Sequence, residues 1–105
     1  GVKAGADPKA MSQVIGVSSG NSALFQIRAD DFLLKDQYAP GFMLDLMKKD
    51  IGIGVDLGKS MDIPVPIAAA AYQMYATAST LGHGQDDFAA VSKAIEKLTG
   101  LNLAG

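Results

Sequence analysis

The sequence predicts an all-α domain of about five helices, and three observations support this fold class. Apolar residues recur three and four positions apart, which is the spacing of one face of a helix. Glycine and proline divide the chain into segments of helical length. No stretch alternates for long between apolar and polar residues, and valine and isoleucine are never clustered as they are in strands. With 105 residues the chain suits one domain with one hydrophobic core.

The first helix is predicted to begin after Asp7, which can cap it, with Pro8 in its first position and Gly16 at its end. Residues 21–36, NSALFQIRADDFLLKD, place apolar side chains at three- and four-residue spacings. They predict one or two further helices, before a turn at QYAPG.

The segment 18–22, SSGNS, has two interpretations. It can be a plain connection between helices, with Asn21 or Ser22 as the N-cap of the second. Alternatively, its hydroxyls and amides can bind the carboxylate of a small acid.

A long helix is predicted from Phe42 to about Met61. Asp45 and Lys49 are four residues apart with the acid first, which favours an exposed ion pair. One face of this helix is lined at alternating four- and three-residue steps by Met43, Met47, Ile51, Gly54, Gly58 and Met61.

Two more helices complete the prediction. Pro66 can begin an alanine-rich helix that ends at Gly82. Asp86 can cap a last helix that starts near Asp87 or Phe88 and ends at Gly100. Its apolar face consists of Phe88, Val91, Ala94, Ile95 and Leu98.

The stretch KKDIGIGVDLGKS contains glycines at 52, 54 and 58, which suggest either a phosphate-binding loop or close helix packing. A phosphate loop follows a strand and opens a helix, whereas the residues before Gly52 have helical periodicity. The spacing G-x-G-x-x-x-G is also one residue too long for the dinucleotide fingerprint. Gly54 and Gly58 are four apart, so on a helix they share one side and allow close backbone approach. We interpret the glycines as structural.

Charged residues beside these glycines are candidates for function. Asp50 has Leu46, Met47, Ile53 and Gly54 around it at helical spacing, so it lies on an apolar face, where an unpaired carboxylate is costly. A structural salt bridge or a functional role would each account for it. By pattern alone, Lys49 is a solvated partner of Asp45 or a functional cation.

Composition excludes several classes of function. The net charge is −2 and the nine basic residues are scattered, so no concentrated basic face for nucleic acid is expected. The chain has no cysteine, which excludes disulfides and thiolate metal sites and is consistent with the cytoplasm. No apolar run is long enough to cross a membrane. His83 is expected to be a solvated loop residue, and we predict no metal site.

The adjacent carboxylates are poor candidates for a paired catalytic or metal site, because neighbouring residues on a helix do not face each other. We expect them to be helix caps or solvated residues. They are Asp30, Asp31, Asp86 and Asp87.

Taken together, APGFMLDLMKKDIGIGVDLGKSMDIPVP and AAAAYQMYATASTLGHGQDDFAAVSKAIEKLTG resemble the C-terminal domain of the β-hydroxyacid dehydrogenases. This family includes 3-hydroxyisobutyrate dehydrogenase, tartronate semialdehyde reductase (2-hydroxy-3-oxopropionate reductase) and L-threonate dehydrogenase. The resemblance rests on the helix P-G-F-x-L-x-L-x-x-K-D, the turn G-x-P-x-P, in which Asp62 replaces the usual glycine, and the loop G-x-G-x-x-D-x-[SA]-A. It covers nearly the whole chain.

The resemblance implies an all-α fold like the C-terminal domain of 6-phosphogluconate dehydrogenase, packed beside an N-terminal Rossmann domain. Family members oxidise a short β-hydroxy acid or reduce its semialdehyde with NAD or NADP, and this domain helps to make their subunit interface. The alanine-rich helix and the glycines of the preceding helix suit such an interface, so a homodimer or homotetramer is expected. By position, Phe42 would line the cleft near the nicotinamide and substrate, Lys49 would contact the cofactor, and Asp50 would lie at the substrate end or orient neighbouring groups.

Residues 1–105 are accordingly expected to be a single C-terminal domain without its Rossmann domain. The family's catalytic lysine is followed four residues later by asparagine, a pattern that no lysine here shows, so the catalytic group is expected upstream of Gly1. We therefore predict that the isolated chain is inactive. The alternative function is a stand-alone helical module for interaction or oligomerisation, without catalysis.

Overall fold

The computed structural model describes residues 1–104, and five α-helices form the fold within them, which confirms the predicted class. The helices are α1 (Pro8–Gly16), α2 (Ala23–Arg28), α3 (Leu44–Ser60), α4 (Pro66–Ala78) and α5 (Ser92–Thr99). Shorter turns supplement them: 3₁₀ turns at Val2–Ala4 and Phe88–Val91, and π-helical turns at Ala29–Leu33 and Ser79–His83. The part of the chain described contains no strand, only an isolated bridge between Met43 and Asp87.

The predicted N-terminal signals of α1 and α2 are confirmed. The Asp7 carboxylate accepts a hydrogen bond of 3.0 Å from the amide of Ala10. Of the two cap candidates for α2, Ser22 is the cap, because its hydroxyl accepts from the amide of Phe25 at 2.9 Å. Each bond satisfies an amide that the helix itself leaves unpaired.

The predicted ends of the last two helices are also confirmed. Gly82 has φ +103° and interrupts the helical conformation inside the π-helical turn Ser79–His83 that follows α4. Gly100 has φ +69° and follows α5 as its left-handed C-cap. Glycine suits both positions because it has no Cβ to oppose a positive φ.

The predicted cap of the last helical segment was wrong. The side chain that accepts from the Ala89 amide belongs to Asp87, at 2.9 Å, and not to Asp86. The Asp86 carboxylate contacts the His83 ring instead, with a Nδ1–Oδ2 distance of 2.8 Å. Sequence position alone could not choose between two adjacent aspartates.

The core lies where α3 and α4 meet α5 and the 3₁₀ turn that precedes α5. It is built from one leucine and three alanines, so the helices approach closely. Leu44, Ala78, Ala90 and Ala94 are fully buried, and Tyr38, Met74, Tyr75 and Val91 pack against them. The predicted apolar face of α5 is only partly correct, because Ile95 is 42% exposed and Leu98 is 73% exposed.

The glycines of α3 do not form a phosphate loop, since the helix runs without interruption from Leu44 to Ser60. A Cβ on Gly52 would lie 3.1 Å from the Tyr72 ring on α4, so this glycine allows the two helices to pack closely. A Cβ on Gly58 would lie 2.9 Å from the carbonyl oxygen of Ile63, in the connection that follows α3. Gly54 has no atom within 4 Å of the same position, so the expected close approach there was wrong.

None of the helices within residues 1–104 is both long and apolar enough to cross a membrane.

Candidate functional site

The start of α3 is held by a buried carboxylate. Asp87 is fully buried, and its Oδ1 accepts hydrogen bonds from the amides of Gly41 and Phe42, each at 3.0 Å. Its Oδ2 accepts from the amide of Ala89 at 2.9 Å. One side chain therefore joins the segment before α3 to the segment before α5.

Arg28 pairs with the same carboxylate. Its Nε and Nη2 lie 3.2 Å from Oδ2 and Oδ1 of Asp87, which is the two-pronged geometry of a strong arginine–carboxylate pair. The guanidinium also lies 4.8 Å from the ring centre of Phe32 and 4.5 Å from that of Phe88. We refer to Asp87, Arg28 and the amides of Gly41, Phe42 and Ala89 as the Asp87 cluster.

The cluster keeps Asp87 ionised. Burial by itself raises the pKa of this carboxyl group, because it disfavours the charged form. The hydrogen bonds from Ala89 and Phe42, together with the hydrogen bond and charge of Arg28, outweigh burial and hold the pKa of Asp87 below its ordinary value. Asp87 is a cap, which is one of the two roles expected for the adjacent carboxylates, and it is buried.

Phe42, predicted to contact a cofactor, lies two residues before the first residue of α3. Its amide belongs to the Asp87 cluster, and its carbonyl accepts from the amide of Phe88 at 2.9 Å. The two rings pack edge to face, with centres 6.3 Å apart and planes at 75°. Phe42 is 36% exposed, so its ring packs against Phe88 and is still accessible to solvent.

Lys49 and Asp50, the other predicted site residues, lie together on α3. Their Nζ and Oδ1 are 3.2 Å apart, and the side chains are 61% and 50% exposed. Lys49 lies seven positions after Phe42, in the second turn of a helix that begins at Leu44. Lys49 and Asp50 are therefore in the second turn of α3, and Phe42 lies two residues before its first residue.

The predicted ion pair between Asp45 and Lys49 was wrong. Asp45 contacts Lys48, at 3.8 Å, and accepts a hydrogen bond of 2.6 Å from the Ser79 hydroxyl. The Asp45 amide also donates to the carbonyl of Gly84 at 2.9 Å. Asp45 thus serves the contact between α3 and the turn after α4, which leaves Lys49 to pair with Asp50.

The face of α3 that carries Lys49 and Asp50 is apolar and open. Leu46 is 38% exposed, Ile53 59% and Leu57 58%. The sequence correctly placed Asp50 among apolar neighbours, but in this chain that face is not buried. Asp50 is paired and partly hydrated, so the cost expected of an unpaired buried carboxylate does not arise here.

The remaining sequence candidates do not join this site. The expectation that His83 is solvated is partly correct, because its side chain is 29% exposed. Its polar contact is with Asp86 and not with Lys49 or Asp50. A cleft of about 330 Å³ between α3 and α4 is lined by Gly52, Val55, Asp56, Lys59, Ala69, Tyr72 and Gln73. Of these only Gly52 was considered from the sequence, in the rejected phosphate loop. Among the residues described, no three His, Asp or Glu side chains are grouped to hold a metal ion.

Sequence reasoning missed Arg28 and Asp87. They are 59 residues apart, so no local spacing connects them. The available signal was indirect: Arg28 occurs among apolar helix positions, and Asp87 directly precedes the apolar residues Phe88, Ala89 and Ala90.

Comparison with known proteins shows a consistent set of similarities. Residues 1–95 match the family model described as NAD-binding of NADP-dependent 3-hydroxyisobutyrate dehydrogenase. The 2-(hydroxymethyl)glutarate dehydrogenase of Eubacterium barkeri is 36% identical over 105 residues, which is 100% of this chain and 35% of that protein. The L-threonate dehydrogenase of Cupriavidus necator is 42% identical over 93 residues, 89% of this chain and 31% of that protein.

The fold is similar as well. The crystal structure of 3-hydroxyisobutyrate dehydrogenase from Salmonella typhimurium matches with a TM-score of 0.82 and 34% identity, covering 88% of this chain and 32% of that one. The chain thus spans about a third of the length of the relatives that it matches.

Proposed function

Because this chain belongs to the family of NAD-binding domains of 3-hydroxyisobutyrate dehydrogenases, we propose that it is the C-terminal domain of an NAD(P)-dependent dehydrogenase. In this proposal it forms one wall of the active-site cleft, and an N-terminal Rossmann domain forms the other. The substrate is a short β-hydroxy acid or its semialdehyde. The observation that carries the proposal is the exposed Lys49–Asp50 pair on an open apolar face that begins at the partly exposed Phe42 ring.

The residues present fit a dinucleotide. The Lys49 ammonium is 61% exposed and its partner is an exposed carboxylate. Such a surface pair contributes only about 0–1 kcal/mol, so a phosphate can replace or join Asp50 as the partner of Lys49 at little cost. Phe42 offers an aromatic surface for a nicotinamide ring. When bound, the nicotinamide supplies the hydride chemistry.

Asp50 has a different role from Lys49. A carboxylate does not attract an acidic substrate, but it can accept hydrogen bonds from substrate hydroxyls or orient a neighbouring cation. Its 3.2 Å contact with Lys49 Nζ supports the second role. We propose that Asp50 lies at the substrate end of the cleft and directs Lys49.

The acid–base group of the reaction lies outside these residues in this proposal, so we expect no turnover by the 105 residues alone. The assay is NAD(P)H formation from L-threonate, 3-hydroxyisobutyrate or 2-(hydroxymethyl)glutarate, followed by absorbance. Any turnover by the purified chain would refute this part of the proposal.

The exposed apolar face also supports a second candidate, a helical interaction module without catalysis. Leu57 and Ile53 would then contact only a partner chain. The first experiment is to sequence the coding DNA immediately upstream of the Gly1 codon. A reading frame that continues into a strand followed by G-x-G-x-x-G and a helix with K-x-x-x-N supports the dehydrogenase. A start codon there, with no nucleotide domain, refutes it and favours the interaction module.

The second experiment tests Lys49 in the protein that carries both domains. We expect Lys49→Ala to raise the KM for NAD(P) by about 5- to 30-fold, since a charge-assisted contact contributes about 1–2 kcal/mol. Lys35→Ala is the matched control, because Lys35 is similarly exposed and pairs with Asp31 at 3.2 Å on another part of the surface. Equal KM values for both variants would contradict the assignment of Lys49.

We further propose that the domain contributes to a homodimer or homotetramer. The alanine-rich α4 exposes Ile67 by 83%, and Gly54 on α3 has open space above it. Both features allow another helix to approach. Sedimentation that shows only monomer at high concentration would refute self-association of this chain.

A further inference from the structure

We propose that Arg28 and Asp87 are positioning residues of the cofactor site, which hold the backbone of Gly41 and Phe42 so that the Phe42 ring faces the cleft. The cofactor role of Phe42 rests on the proposed function. The positioning itself is a property of this chain and can be tested without any cofactor.

The backbone at Phe42 is fixed from two sides. Consecutive amides, those of Gly41 and Phe42, donate to the same oxygen of Asp87, which restricts the orientation of the peptide plane between them. On the other side the Phe42 carbonyl accepts from Phe88. A Cβ on Gly41 would lie 3.3 Å from Arg28 Nη2 and 3.4 Å from Asp87 Oδ1, so glycine leaves room for the cluster to close around it.

The ring is supported as well as the backbone. Phe42 packs edge to face against Phe88, and the Arg28 guanidinium lies 4.5 Å from the centre of the Phe88 ring. Phe32 lies at 4.8 Å from the same guanidinium. Arg28 therefore determines both where the carboxylate lies and where the ring beneath Phe42 lies.

A buried ion pair is a poor device for stability alone. Removing two charges from water costs free energy that apolar side chains of similar size would not require. What a carboxylate adds is directional bonds to several amides at once, and here it receives them from two separate segments of the chain. We therefore attribute the desolvation cost of the Arg28–Asp87 pair to the need to fix the backbone of Gly41 and Phe42.

The test uses uniform labelling with 4-fluorophenylalanine and ¹⁹F NMR. The chain has four phenylalanines, so four resonances are expected, and single Phe→Leu variants assign them. Phe32, Phe42 and Phe88 lie in or beside the cluster, whereas Phe25 lies in the apolar cavity beside α1 and serves as an internal reference.

In Asp87→Asn and in the milder Arg28→Lys, we expect the Phe42 resonance to shift or broaden while Phe25 is unchanged. Lysine keeps the charge of arginine but loses its planar, two-pronged contact. Gly100→Ala is the control for general loss of stability, because it strains the left-handed C-cap of α5 outside the cluster. It should leave all four resonances in place. If Asp87→Asn does not fold, Arg28→Lys decides the outcome.

An unchanged Phe42 resonance in folded Arg28→Lys or Asp87→Asn would overturn the proposal. So would an equal change in Gly100→Ala, because the effect would then be general destabilisation.

A second measurement separates this proposal from the proposed function. NADH and NADPH are titrated into the labelled protein that carries both domains. Both proposals are supported if a dinucleotide shifts the Phe42 resonance of the unsubstituted protein and binds Arg28→Lys with an apparent affinity at least threefold lower. If the cluster variants move Phe42 but neither dinucleotide affects it, the positioning of Phe42 is supported and its cofactor role is refuted.

Discussion

Two glycines on α3 allow a paired prediction, because they occupy the same side of one helix and differ in what surrounds them. Gly54→Ala places a methyl group in open space. Gly58→Ala places it 2.9 Å from the Ile63 carbonyl oxygen, with the Val65 methyl carbons at 3.1 and 3.2 Å. Contacts this close require the connection after α3 to move.

The magnitude follows from two opposing terms. Alanine is favoured over glycine inside a helix by about 0.5–1 kcal/mol, and this gain is common to both variants. Overpacking a closed site costs about 1–3 kcal/mol, and this cost applies only at Gly58. We therefore expect Gly54→Ala to be more stable than the unsubstituted chain by up to about 1 kcal/mol. Because the common term cancels, Gly58→Ala should be less stable than Gly54→Ala by about 1–3 kcal/mol.

Urea denaturation followed by circular dichroism measures both variants, and the midpoints should differ while the slopes agree. In thermal melts the difference corresponds to at least about 4 °C. Equal stability of Gly58→Ala and Gly54→Ala would show that the close contact with Ile63 does not control stability. Sedimentation at the same concentrations excludes self-association at Gly54 as the source of any difference.

Three further predictions concern the buried carboxylate and the helix caps. Asp87→Ala should lower the free energy of unfolding by about 3–5 kcal/mol, because it removes the buried partner of Arg28, whose side chain is only 18% exposed. Asp31→Ala, which removes an exposed pair, should lower it by at most about 1 kcal/mol. Similar losses in urea titrations would contradict the assignment. The folded-state pKa of Asp87 is depressed, so the contribution of its charge to the free energy of unfolding is fully present above the unfolded pKa near 4 and is lost as the pH falls through the lower folded value. The free energy of unfolding measured from pH 7 to pH 2 should show this loss. An unchanged acid profile in Asp87→Asn would disprove it. Ser22→Ala should lower the free energy of unfolding by about 1 kcal/mol through loss of the α2 cap, and Ser22→Gly should lower it by only a few tenths. Equal losses would show that the hydroxyl is not the stabilising group.

Local signals in the sequence were sufficient to predict the number of helices. Asp7, Pro8 and Gly100 act within one turn of their own positions, so their effects can be inferred from adjacent residues. The boundary of α3 was less accurate, with the helix beginning at Leu44 and not at Phe42. The amide of Leu44 donates to the carbonyl of Asp86, a contact that no local pattern reveals.

The candidate site was only partly predictable, for the same physical reason. The resemblance drew attention to Phe42, Lys49 and Asp50, and the structure shows how each is placed. The residues that hold the Phe42 backbone are Arg28 and Asp87, which meet only through the tertiary fold. Adjacent aspartates illustrate the limit: Asp86 and Asp87 have the same chemistry, yet one contacts a histidine near the surface and the other is fully buried.

The distance in sequence between Arg28 and Asp87 has a consequence for how the chain folds during its synthesis. A ribosome adds about 5–20 residues per second, so the 59 residues that separate the pair take roughly 3–12 seconds to translate. Until Asp87 is made, Arg28 and the amide of Phe42 lack the carboxylate with which they pair in the folded chain. Ala90 and Ala94, which complete the core around Leu44, are made later still. Nascent chains that end before residue 87 should therefore remain sensitive to protease, and native structure should form only after the last helix has left the exit tunnel.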